Sequence, residues 1–244
     1  MQRIRIRYAK RGPLRFTSHR DFARAFERAL RRAAVPIAFS QGFTPHPKIS
    51  YASAAPTGVG SEAEYLEIGL QTETDPEQLR VALDAALSPG LDVLEAVRAG
   101  EGSLADRIDA SRWRIELPGI DPETARAAVA AFLAAPEVLV ERMTKQGRRS
   151  FDARAAVNGC MVEQEPDLPS EAGGVPCAII DLVVRQVIPA VRPDDVLSGL
   201  RVVADLEPPV PPRVTRLAQG LLTAQGEIVD PLEADREGVG FGGR

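Results

Sequence analysis

An α+β protein of two tandem ferredoxin-like (split βαβ) domains, closed by a C-terminal hairpin and a flexible tail, is what this 244-residue sequence predicts. Over residues 1–100 the apolar residues switch between two-residue and helical spacing, in the order strand, helix, two strands, helix, strand. A similar order begins again near residue 111. The same helix start, Asp-Pro-Glu, stands at Asp75 and at Asp121. The expected boundaries are 1–100 for a basic first domain, 111–206 for a second domain, and 207–244 for a proline-rich extension, hairpin and tail. Gly100 to Ala110, polar and glycine-containing, reads as the linker.

Arg3-Ile4-Arg5-Ile6-Arg7-Tyr8 alternates with period two, which makes a strand with one polar face. Gly12-Pro13 ends it. Ser18-His19-Arg20-Asp21 has the form of a capping box, Ser/Thr followed three residues later by an acid. A helix follows to about Ala34. Phe22, Phe26, Leu30 and Ala33 fall at helical spacing and should face the core. Arg20, Arg24, Arg28 and Arg31 form a second stripe, roughly opposite. Pro36 to Ser40 reads as a short strand, Gln41 to Lys48 as a turn and Ile49 to Ser53 as another strand. After a Gly/Pro loop, Glu64 to Leu70 alternates as a strand. Asp75-Pro76-Glu77 opens a helix with an N-cap, a proline at the first position and an early acid, and Leu91 to Val97 closes the first domain.

In the second half, Trp113 to Leu117 reads as a strand and Asp121-Pro122-Glu123 opens a helix to about Ala135. Val138 to Met143 is a strand. Cys160 to Glu165 and Cys177 to Gln186 fit a hairpin around a polar loop at 166–176. Arg192-Pro193-Asp194-Asp195 opens a last helix. Glu207 to Pro212 is extended. Val214 to Leu222 and Glu227 to Leu232 form the added hairpin, and the glycine-rich end 238–244 is the tail.

Composition narrows the function. No apolar run approaches the roughly 18 residues of a membrane span. The N-terminus lacks a signal-peptide core, so a cytoplasmic protein without membrane contact is expected. Cys160 and Cys177 lack CxxC spacing and read as structural thiols. The net charge is −4, yet residues 1–50 hold twelve Lys and Arg against two acids, Asp21 and Glu27, a local charge of +10. Both histidines, His19 and His46, lie in the same segment. A basic head on an acidic body suits a polyanion or an acidic partner. The plainer alternative is that the arginines only solvate a helix.

The densest group of chemically useful residues is Ser40-Gln41-Gly42-Phe43-Thr44-Pro45-His46-Pro47-Lys48. Thr44 and His46 each precede a proline, which stiffens the backbone in extended geometry. Gly42 permits a tight turn. The expected binding surface comprises Arg15, His19, Arg20, Arg24, Arg28, Arg31, Gln41, Gly42, Phe43, His46 and Lys48. Arg15, His19 and the turn around His46 are expected near one another. The sequence holds no CxxxCxxC, Walker A, HExxH or GxSxG, and its Cys and His lack zinc-site spacing. No catalytic residue, metal ligand or cofactor is therefore expected.

Phe16-Thr17-Ser18-His19-Arg20-Asp21, Phe26-Glu27-Arg28-Ala29-Leu30-Arg31-Arg32, Ser40 to Ser50, Pro56-Thr57-Gly58 and Ser61 to Tyr65 together resemble the radical-SAM-linked (radical-SAM-associated) protein family, a domain of unknown function. The resemblance covers about residues 1–200 and is strongest over 1–100. Thr44 stands where many relatives have Asn, and Thr17 where many have Leu. In that family the domain is fused to a radical SAM protein with a cobalamin-binding-like domain, or encoded beside one. Genes for an E/G-type ribonuclease and for ribosomal proteins often lie nearby. The resemblance implies the stand-alone form, a separately encoded radical SAM protein as partner, and an accessory role near RNA. It carries over no catalytic residue.

Three functions follow as expectations. The first is a non-catalytic accessory protein that presents RNA or another anionic substrate to a radical SAM enzyme. The second is a metal-independent endoribonuclease, with His19 and His46 as general base and acid and Lys48 or Arg15 on the phosphate. The third is a structural subunit whose basic face docks an acidic partner.

Overall fold

The computed structural model describes residues 1–144, 147–163 and 176–237. They form two compact units of mixed α and β structure. Of the described residues, one unit contains Met1–Ile108, Gln219–Leu221 and 229–237; the other contains those of Asp109–Ala218 and Leu222–Ile228.

The first unit begins with β1 (Gln2–Lys10), a short 3-10 turn at Gly12–Phe16 and α1 (His19–Arg32), followed by β2 (Ile49–Ala52), β3 (Gly60–Leu70), α2 (Pro76–Ala86) and β4 (Val93–Arg98). Its strands lie in the order β4-β1-β3-β2, and each neighbouring pair is antiparallel. The register puts Ile4 opposite Ile68 and Ile6 opposite Leu66 on one face, and Arg5 opposite Glu67 on the other. Both helices start where their caps predict. Ser18 Oγ accepts the Asp21 N–H at 3.2 Å, and Asp75 accepts the Gln78 N–H at 2.9 Å. Phe22, Phe26 and Leu30 enter the core with Ile4, Ile6, Leu66, Leu79 and Leu83. The rings of Tyr8 and Phe22 stack with centroids 4.3 Å apart.

Pro36 to Ser40 does not form the expected strand. Only two isolated bridges remain, Ile37 opposite Leu70 and Phe39 opposite Pro47. The Ala38 N–H reaches the Gly69 carbonyl at 2.7 Å, but the Gly69 N–H goes to the Lys48 carbonyl at 2.9 Å. Lys48 thus takes over the place beside β3, and residues 39–47 leave the sheet edge as a loop.

The second unit holds β5 (Ala110–Pro118), α3 (Pro122–Ala134), β6 (Leu139–Thr144), β7 (Gly147–Asp152), β8 (Val157–Val162), β9 (Cys177–Arg185), α4 (Pro193–Ala204) and β10 (Arg213–Leu222, of which 213–218 and Leu222 belong to this unit). The strand order is β10-β5-β9-β8. The expected hairpin pairs β8 with β9, Cys160 opposite Leu182. Glu165 and loop residues 166–175 lie outside the described residues. β6 does not join that sheet. It pairs with β7 in a separate two-stranded ribbon, Val140 opposite Phe151. The polar run Gly147-Arg148-Arg149-Ser150 concealed β7 from periodicity.

α3 and α4 meet at Gly199. A Cβ there would stand 2.7 Å from Phe132 Cε2 and 3.1 Å from Val138 Cγ1. Helix propensity alone would make Gly199→Ala stabilising by roughly 0.5–1 kcal/mol. Overpacking reverses the sign: a net loss of about 1–3 kcal/mol is expected in urea unfolding. A gain in stability would show that the two helices are not in close contact.

The chain ends differently from the expected extension. β11 (Ile228–Val229) pairs with β10, as a hairpin requires, but the residues after it return to the first unit and form a short helix, α5 (Glu233–Glu237). The tail 238–244 lies outside the described residues. Gly100–Ala110 is not a bare linker either. Leu104 and Ile108 are buried with Ala52, Ala63, Tyr65 and Leu232. These segments cover the polar face of β1, and Arg5 is 0% exposed. Its guanidinium meets Glu67 and Asp235, each at 2.8 Å, and Asp235 also takes Arg107 at 2.9 Å and the Gly100 N–H at 2.9 Å. Among the described residues no helix is long and apolar enough to cross a membrane.

Candidate functional site

The cations of residues 1–50 separate into two sets with opposite fates. The arginines of β1 and Arg11 just after it are neutralised within the first unit, while Lys10 is buried against the Ala55 and Pro56 carbonyls. Arg3 pairs with Glu67, Arg5 with Glu67 and Asp235, Arg7 with Asp230, and Arg11 with Glu62 and Asp92. On α1 the opposite holds. Arg20, Arg24, Arg28 and Arg31 are exposed, and Arg15 just before the helix is half-buried. Among the described residues no carboxylate pairs with any of these five. Arg32 differs, because its guanidinium donates to the Ala86 carbonyl at the end of α2. The reason is geometric. Phe22, Phe26, Ala29 and Leu30 turn one side of α1 into the core, so the stripe opposite them faces away from the acids of the sheet.

The loop after α1 is held at its base and open at its tip. The His46 N–H donates to Ser40 Oγ at 2.9 Å, and the Ser40 N–H donates to the His46 carbonyl at 2.8 Å. Gly42 has φ +137°, a conformation that a side chain would strain. Gln41, Phe43, His46 and Lys48 are exposed, and Lys48 Nζ lies 3.4 Å from Met1 Sδ. The backbone of His46 is therefore fixed while its imidazole is open to a ligand.

His19 and the loop share one neighbour, β2. The His19 ring meets Tyr51 edge-on with centroids 4.8 Å apart. Tyr51 stands opposite Leu66 and Lys48 beside Gly69, about 10 Å along the strand. Arg15 lies just before the N-terminus of α1, four residues ahead of His19, and its carbonyl accepts the Gly58 N–H at 2.8 Å. Among the described residues no hydrogen bond or ring contact joins His46 to His19 or to Arg15. The Tyr51 hydroxyl is buried without a hydrogen-bond partner among the described residues. Its pKa is pushed up to about 12, by burial first and by the charge of Glu27 second.

One aromatic escaped the sequence reading. Phe16 is 59% exposed, with the Arg15 guanidinium 4.6 Å from its ring centroid. The dipeptide Arg15-Phe16 ahead of a capping box was the available signal.

The second unit offers a cleft of about 680 Å³, lined by Arg112, Asn158, Cys160, Asp181 and Gln225 among others. Its arginine is already paired: Asp181 holds Arg112 through both carboxylate oxygens, which leaves the exposed carboxylate of Glu227 as a negative charge on the cleft wall. The Cys160 thiol is pushed up to about 12, by burial and then by Asp181, so it stays protonated and a poor nucleophile. The unpaired arginines of α1 are the stronger site.

No curated protein matches the chain. Residues 3–193 match a family described as "Uncharacterized protein conserved in bacteria (DUF2344)". That match runs from β1 to the first residue of α4, taking in α1 and its loop, and with 191 of 244 residues inside it the chain belongs to this family.

Proposed function

We propose that this chain is an accessory protein of a radical SAM enzyme, and that it presents RNA on the exposed face of α1 while the partner supplies the catalysis. The observation that carries the reading is the row of arginines on α1 with no carboxylate partner among the described residues. Uncompensated guanidinium groups on one side of a helix repel one another, and a polyphosphate relieves that repulsion with release of counterions. The partner rests on the resemblance carried by the Ser40–Lys48 string. Both units are read as copies of the split βαβ plan, since the orders β4-β1-β3-β2 and β10-β5-β9-β8 are equivalent.

The endoribonuclease reading needs His19 and His46 at one phosphate. His19 is instead turned onto Tyr51, and among the described residues no contact joins the two histidines. The docking subunit differs from the RNA reading in its ligand, so the experiment measures both. Binding of a labelled RNA oligonucleotide across a salt series is followed by co-purification with the radical SAM protein. Salt-sensitive RNA binding supports the proposal. Co-purification without RNA binding supports docking alone.

His46→Ala tests the loop. Exposure and a backbone-only anchor predict a change in stability within about 0.5 kcal/mol. Turnover by the radical SAM partner should fall, and His46→Gln should restore part of it. A loss of several kcal/mol with normal partner turnover would make the loop structural.

A further inference from the structure

We infer that the RNA carried by α1 is an unpaired strand, held along the arginine row and stacked at its ends on Phe16 and Phe43. The inference rests on the reading of α1 as an RNA-presenting face and adds the form of the ligand.

The placement of the phenylalanines carries it. Of the seven in the described residues, Phe22, Phe26, Phe132 and Phe151 are buried. The three that remain, Phe16, Phe39 and Phe43, are exposed and flank α1. Phe16 lies three residues before the helix begins, under the Arg15 guanidinium. At the other end the chain leaves α1 at Ala33, and the Val35 N–H ties back to the Leu30 carbonyl at 3.0 Å. Four residues later it reaches the root of the loop at Phe39. Phe43 sits midway between Ser40 and His46, whose hydrogen bonds close the loop base, and it is fully exposed. A rigid base that displays one aromatic ring lowers the entropic cost of stacking a ligand on it. Arginine beside an aromatic face strengthens base stacking further.

The spacing suits a single strand. Arg20, Arg24 and Arg28 recur every four residues, a rise of about 6 Å per step. This is comparable with the separation of successive phosphates along an extended strand. The row from Arg20 to Arg31 is about 17 Å long, room for three or four phosphates. A duplex would offer its phosphates to such a row but keep its bases stacked inside the helix, out of reach of Phe16 and Phe43.

The test compares one RNA sequence in two forms, a labelled ten-nucleotide single strand and its blunt duplex, binding to the full chain. The single strand should bind at least about tenfold more tightly. Phe43→Leu should weaken single-strand binding about fivefold or more, leave duplex binding unchanged, and be reversed by Phe43→Trp. Phe16→Leu should act in the same direction. Equal affinity for both forms, or an inert Phe43→Leu, overturns the stacking inference. In that case the reading of α1 stands if Arg24→Glu with Arg28→Glu still abolishes binding, and falls if it does not. If the wild type binds neither RNA but Phe43→Leu loses the radical SAM protein, the aromatics are protein anchors and the inference is overturned.

Discussion

Reversing two charges on α1, Arg24→Glu together with Arg28→Glu, is expected to weaken RNA binding about tenfold or more at physiological salt while the protein stays folded. The physical basis is counterion release. Each phosphate of a single strand that is no longer neutralised lowers the slope of log K against log salt by roughly 0.7, so the double variant should reduce it by about 1.4. Neither side chain has an ion pair among the described residues, and both stand on the exposed side of the helix. Thermal unfolding should therefore shift little, as for other surface substitutions. Equilibrium binding at several salt concentrations, beside a melting curve, separates the outcomes. Unchanged affinity and slope would remove the arginine row from any RNA site. A collapse of cooperative unfolding would place the stripe in the core.

The second large effect concerns folding. Asp235→Ala should destabilise the first unit by about 3–5 kcal/mol, because it takes one of two carboxylates from a fully buried cation and leaves several buried donors unmatched. Arg5 and Asp235 both have fully buried side chains. Without Asp235, Arg5 keeps the Glu67 carboxylate and the Gly102 carbonyl, its Nη1 loses its acceptor, and Arg107 and the Gly100 N–H are deprived of a partner as well. Replacing both buried charges, Arg5→Met with Asp235→Leu, should cost far less than either change alone, since no unpaired charge remains. Urea unfolding of the three variants forms the cycle. If Asp235→Ala cost less than about 1 kcal/mol, the residues after Val229 would not be a fixed cover of the sheet.

The two experiments address two halves of one charge pattern. Read from the sequence, residues 1–50 are uniformly basic. In the folded protein the arginines of β1 are paired with carboxylates, whereas Arg20, Arg24, Arg28 and Arg31 of α1 have no such partner among the described residues. The periodicity already contained part of this division. Alternation put Arg3, Arg5 and Arg7 on one strand face, and helical spacing put Arg20, Arg24, Arg28 and Arg31 opposite Phe22 and Phe26. It could not say what covers each face.

Local chemistry sufficed where a signal and its structural consequence lie within a few residues. Ser18 with Asp21, Asp75 with Gln78 and Asp121 with Thr124 are caps closed over three residues, and each helix begins where its cap stands. The strands of the first unit likewise follow from short alternating runs. The failures came where a distant segment competes or completes. Pro36 to Ser40 has strand-forming residues, yet Lys48 occupies the place beside β3 that a longer strand would need. Gly100 to Ala110 is polar on average, but two apolar residues within it find a buried cluster that includes Leu232.

By itself, then, the sequence determined α1 to α4, most of the strands, the core side of α1 and the row of arginines facing away from it. Tertiary structure alone decided which cations are neutralised. Neutralising a charge needs a partner within a few ångströms, and for Arg5 those partners come from 62 and 230 residues away. No window of local sequence spans that separation, and none shows that Arg20, Arg24, Arg28 and Arg31 meet no carboxylate among the described residues.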